Sequence, residues 1–152
     1  MKKTLYRITM LILLVVSTGF AQHTIIPIRK ATFQGDLRDF SEASGSLFAV
    51  GYNLGIKSFV VKSTDNGINW TELTAPFAAG DNLTTIAFPT SQLGLVAGSG
   101  GVIWRTTDGG ATWNTVSAAG YTGGINDLVM LDATNGYACG SSNNNFNVLK
   151  TT

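Results

Sequence analysis

From Asp36 onward the chain alternates short apolar runs with turns rich in Gly, Asn, Asp and Ser, and no stretch carries a helical period. The runs return in a fixed order. Leu37 and Phe40, then Leu83 and Ile86, then Ile125 and Leu128 are apolar pairs three apart, each opening a repeat. A second run follows in each: Leu47 to Val50, Leu95 to Ala97 and Tyr137 to Cys139, closed by Gly51, Gly98 and Gly140. A third is Phe59 to Val61, Val102 to Trp104, and Val148 to Leu149. A fourth is expected at Thr71 to Leu73 and Asn114 to Val116. Short β-rich runs bounded by turn residues predict strands, four to a repeat.

The third run leads each time into the same polar turn. Ser63, Asp65, Gly67 and Trp70 recur 43 residues later as Thr106, Asp108, Gly110 and Trp113, fitting Ser/Thr-x-Asp-x-Gly-x-x-Trp. The lead-in Val60, Val61, Lys62 recurs as Ile103, Trp104, Arg105 and as Val148, Leu149, Lys150, followed by Thr151 and Thr152. A third copy has therefore begun, and its Asp would be the next residue. The pattern predicts a hairpin. The Asp carboxylate accepts hydrogen bonds from backbone N–H groups of its own turn, and Gly takes a positive φ at little steric cost. The indole covers the hairpin on its apolar side and anchors it to the sheet, with its N–H towards the wetter end.

A repeat of this length signals a blade-type array. The turn resembles the Asp-box, or BNR repeat, found between the third and fourth strands of blades in sialidases, sortilin-type receptors, xyloglucanase-type glycoside hydrolases and photosystem II assembly-factor-like proteins. Gly101, Ile103, Thr106, Asp108, Gly109, Gly110, Thr112 and Trp113, with the run Asp132 to Ala138, look closest to the assembly-factor-like repeats. The resemblance implies an all-β fold: a partial β-propeller of four-stranded antiparallel blades with Asp-box hairpins. It also implies that the eight box residues are structural, away from any active site, and that the surface serves protein contact. A propeller closes with 4 to 8 blades. Residues 36–152 hold about two and a half, so the expectation is a fragment of a longer chain, or one finished by the remaining blades from elsewhere.

Ahead of the repeats, Lys2, Lys3 and Arg7 precede an apolar run from Ile8 to Val16, and small residues lead to Ala21 and Gln22. That is the grammar of a secretory signal over residues 1–21, which predicts a secreted or cell-surface protein. The apolar run is short of the ~20 residues a span requires, so no membrane span is expected after cleavage. Residues 22–35 read as a linker or a closing strand, with Pro27 confining Ile25, Ile26 and Ile28 to an edge. Three of the 10 basic residues lie in the leader against 9 acidic ones in all, leaving a slightly acidic chain with nothing to attract nucleic acid.

Candidate chemistry is sparse. Cys139, the one cysteine, stands where the second repeat has Ala97, and reads as a buried, inert thiol. His23 has no second His or Cys near it, so neither a metal nor a cofactor is expected. The alternative to a scaffold is a sialidase-like glycoside hydrolase. Such enzymes grip a carboxylate with three arginines, and after the leader only Arg29, Arg38 and Arg105 remain. A carboxylate pair would have to be Asp39 and Asp127. These occupy equivalent repeat positions, which predicts a recurring local role. The most individual surface is the run Tyr52 to Gly55 and the polar run Ser141 to Asn145, and both are expected as solvated loops. A non-enzymatic module binding a protein or a cell-surface glycan follows, with catalytic residues, if there are any, supplied outside these residues.

Overall fold

The computed structural model describes residues 35–53, 57–116, 118, 120–142 and 145–151, so the leader, most of the 22–35 segment, Leu54, Gly55 and Thr152 lie outside the described residues. Three antiparallel sheets follow one another along the chain. The first is β1 (Asp36–Ala43), β2 (Ser46–Asn53), β3 (Lys57–Ser63) and β4 (Thr71–Glu72), paired in that order. A short 3-10 turn, Ala79–Asp81, leads to the second: β5 (Leu83–Ala87), β6 (Gly94–Gly98), β7 (Ile103–Thr106) and β8 (Asn114–Val116). The third has β9 (Gly124–Met130), β10 (Gly136–Ser142) and β11 (Asn145–Lys150), with β10 in the middle. This is the all-β, four-strand-per-sheet meander of a partial propeller.

The apolar pairs three apart have a common cause. Each innermost strand shifts register at the same place: between Leu37 and Asp39, between Leu83 and Thr85, and opposite Cys139 and Gly140, where Ile125 and Asp127 stand. A bulge inserts one residue, so positions i and i+3 fall on one face instead of opposite ones. That face meets the preceding sheet. Leu83 and Ile86 are buried against the first sheet, Ile125 and Leu128 against the second. Leu37 and Phe40, with no described sheet before them, stay 60% and 68% exposed. The same bulge brings the inner strand's backbone over the second strand. A Cβ on Gly51, Gly98 or Gly140 would collide with the carbonyl of Asp36, Asn82 or Gly124, which is why a glycine closes the second run in every repeat.

The main core lies between the first two sheets. Phe48, Val50 and Val60 face Leu83, Ile86, Phe88 and Val96, and Phe77 and Trp113 complete the cluster. Phe48 stacks on Phe88 at 3.6 Å between ring centres, and Phe77 meets Trp104 and Trp113 edge-on. A smaller cluster of Ala87, Ala97, Ile125 and Leu128 joins the second sheet to the third.

Two expectations are corrected here. Cys139 is exposed and unpaired, not buried. Its counterparts Val50 and Ala97 are each covered by the following sheet, whereas no described sheet follows the third. Tyr52 and Asn53 are not loop residues but the end of β2, opposite Ser58 and Lys57, and Ser141, Ser142 and Asn145 likewise extend the β10–β11 hairpin. The longer first hairpin lengthens its strands because Tyr52 and Asn53 continue the ladder with no residue that breaks it.

Candidate functional site

The antiparallel order puts the two box turns, after β3 and β7, at one end of the sheets. The β2–β3, β6–β7 and β10–β11 hairpins lie at the other. In the first box the Ser63 hydroxyl donates to Asp65 Oδ1 at 2.8 Å and accepts the Gly67 N–H at 2.9 Å. Asp65 Oδ1 accepts the Asn69 N–H, and its Oδ2 accepts the Asn69 side-chain amide, both at 2.7 Å. The second box repeats the network: Thr106 donates to Asp108 at 2.7 Å and accepts from Gly110, while the N–H and hydroxyl of Thr112 reach Asp108 at 2.8 and 2.6 Å. Gly67 and Gly110 adopt φ of 84° and 91°, a region open to glycine and strained for other residues.

Hydrogen bonds from the Thr112 hydroxyl and N–H, and then from the Thr106 hydroxyl, hold the Asp108 carboxyl at about 2, well below its ordinary 3.8. Asp132, in the turn before β10, is lowered too, first by the Asn135 side-chain amide and then by the Thr134 and Asn135 N–H groups. These carboxylates are turn-formers, spent on their own backbone. The indoles act differently from the expectation of a wet N–H: Trp70 and Trp113 donate to the carbonyls of Gly67 and Gly110 at 2.9 and 3.1 Å. Trp113 is buried against the first sheet, while Trp70 is half-buried on the first sheet's far face beside Ala49, Phe59 and Val61. Asn69 and Thr112 are box members that the four-residue pattern omits. Their identical spacing and shared donor groups were the available signal.

The innermost strands carry the second set of candidates. Asp39 and Asp127 do converge, both on Thr85, which fills the equivalent place in the second repeat. Thr85 Oγ1 lies 3.1 Å from Asp39 Oδ2 and 3.2 Å from Asp127 Oδ1, and it accepts the Leu128 N–H at 3.1 Å. Asp39 Oδ2 also accepts the Ile86 N–H at 3.0 Å, and its Oδ1 the Phe40 N–H. Each of Asp39 and Thr85 thus captures a backbone donor of the next sheet's inner strand. Ser41 does the same for the Phe88 N–H and Ser58 for Leu83. The recurring role expected of these positions is a joint between sheets.

The arginines do not gather. Arg38 lies over the Tyr52 ring and beside Asp36 at the hairpin end, and Arg105 is exposed towards the box end of the second sheet. Arg29 and His23 lie outside the described residues. Among the described residues no three His, Cys, Asp or Glu side chains cluster as a metal site would require, and no helix is long and apolar enough to cross a membrane. The largest opening is a cavity of about 490 Å³ between the second and third sheets, walled by Leu95, Ile103, Val116, Leu128, Met130 and Leu149. No acid or arginine lines it.

No family of known proteins matches the chain, and no curated protein does. Solved structures do. A complex of YCF48 with a D1 peptide superposes with a TM-score of 0.63 at 19% identity, covering 80% of this chain and 38% of that one. YCF48 from Cyanidioschyzon merolae gives 0.63 at 15%, covering 83% and 40%. The GH74 enzyme of Niastella koreensis gives 0.58 at 21%, covering 76% and 21%. These similarities establish the propeller fold, and this chain spans two fifths or less of each neighbour's length.

Proposed function

We propose that this protein is an exported, non-enzymatic propeller module of the Asp-box class that binds protein at a cell surface or outside the cell. One observation carries the reading: every carboxylate that could serve as an acid or base is engaged in holding the scaffold. Asp65 and Asp108 close box turns, Asp132 closes a hairpin, and Asp39 and Asp127 meet at a sheet junction. What varies between repeats is the hairpin edge opposite the boxes, which is where a scaffold differentiates its contacts. A peptide-bound propeller among the structural neighbours supports a protein ligand over a glycan.

The convergence of Asp39 and Asp127 on one hydroxyl, together with a GH74 neighbour, favours a second reading: a glycoside hydrolase propeller completed by residues outside this chain. One set of experiments separates them. Expressed with its leader in a bacterial host, the protein is expected outside the cytoplasm with Gln22 first, read by intact mass. Retention in the cytoplasm with Met1 in place would overturn export. Incubated with sialyl and glucan oligosaccharides, it is expected to release no sugar. Release that Asp127→Asn abolishes in a folded protein would establish the hydrolase.

A further inference from the structure

The first two sheets each have four strands, and the third has three among the described residues, with β11 on its outer edge. Beneath that edge lies the 490 Å³ cavity. Its counterpart between the first and second sheets is full, and the repeat identifies what fills it. Val116 and Met130 on the cavity wall correspond to Leu73 and Phe88 at the earlier interface. There, the Trp113 ring packs on Phe88 at 6.2 Å between centres, in the cluster that also takes in Leu73 and Phe77. Trp113 arrives on the strand that β8 adds to β7, with Ile103 opposite Val116 and Arg105 opposite Asn114. Where Phe77 stands in the first linker, the second has Gly120, which contributes no side chain.

Thr151 already occupies the box position held by Ser63 and Thr106. Gly136 faces it as Gly94 faces Thr106: the Thr151 N–H donates to the Gly136 carbonyl at 3.0 Å and its hydroxyl accepts the Gly136 N–H at 2.9 Å. In the complete boxes that hydroxyl donates to the box Asp; here it donates to the Thr134 carbonyl. The lead strand, the box hydroxyl, an apolar mould and an edge without a described neighbour all coincide.

We propose that the cavity is the socket for a box tryptophan, delivered by a hairpin joined to Thr151 whose returning strand pairs antiparallel with β11. The residue facing Val148 would match Val116, and the residue facing Lys150 would match Asn114. The hairpin adds main-chain hydrogen bonds along the edge, and the indole enters the cavity, so strand addition and side-chain anchoring act together. This rests on the repeat geometry alone and stands whether or not the protein is exported.

The test joins the sequence that follows Thr107, Asp108 to Val116, after Thr152, and compares it with the same extension carrying Ala in place of Trp. Slowed amide exchange along β11 with the indole, lost with Ala, is expected. Equal exchange in the two, or no slowing in either, would overturn the proposal. A synthetic peptide of residues 106–116 added to the unextended chain is expected to bind saturably, and to lose about thirty-fold in affinity when its Trp is Ala, the cost of a typical aromatic anchor. Ala138→Phe, which fills the cavity from β10, should abolish that binding. Phe146→Ser, on the opposite face of the sheet, should leave it intact. Binding indifferent to Ala138→Phe, or an apolar dye held in the cavity that neither extension nor peptide displaces, would show the site to be something other than an indole socket.

Discussion

At single residues, the hydroxyl and carboxylate positions bear most of the specificity. Because Asp108 is lowered on folding from 3.8 to about 2, its contribution to stability is complete above the unfolded value and is lost as pH falls through the folded one. Asp108→Asn should therefore flatten the acid limb between about pH 4 and pH 2 in a titration followed by Trp113 fluorescence, leaving the part due to Asp132, which is shifted in the same direction. Thr85 offers a contrast, since it is buried and its oxygen serves three partners. Thr85→Val keeps the shape but orphans the Leu128 N–H, a loss of about 1–3 kcal/mol expected in urea unfolding. Thr85→Ser should retain most of that bond. The box residues were legible in the sequence because their chemistry closes within a few positions. The Thr85 joint was not: it links residues more than 40 apart, and a threonine stands where the other repeats have aspartate.

Strands and hairpins inherit their environment from the sheet next door, and equivalent residues in successive repeats differ accordingly. Trp113 is 6% exposed between two sheets, while Trp70, with the same local bonds, lies on a face that no described sheet covers. Trp113→Ala is expected to cost about 3–5 kcal/mol, the range for emptying a buried aromatic site, and Trp70→Ala clearly less, as measured by the midpoints of chemical unfolding. The same reasoning explains what strand patterning conveyed. Four strands per repeat, the innermost starts and the glycine at the end of each second run were readable from spacing. The burial of Cys139 was not, because an alanine-sized position says only that a neighbour fits there, and whether one is present is not a property of the strand.

Across the whole molecule, the apolar interior stops short of both outer faces. Phe146 and Val148 stand 97% and 76% exposed on the third sheet, and Phe40 projects from the opposite face of the first. Such faces and edges promote association when nothing covers them. The polypeptide by itself is expected to sediment as a mixture of self-associated species and to melt over a broad range; a monomer with one sharp transition would contradict this. Cys139, on the same uncovered face, should react with a thiol reagent in the native protein and be shielded wherever association covers it. The bulge shared by all three innermost strands has one more consequence. It aligns each strand's apolar pair with the sheet behind and its Asp or Thr with the sheet ahead, so every unit brings both halves of a coupling. Duplicating one stretch of coding sequence would then lengthen the array without inventing a new interface, and such proteins can grow by copying as well as by selection on single residues.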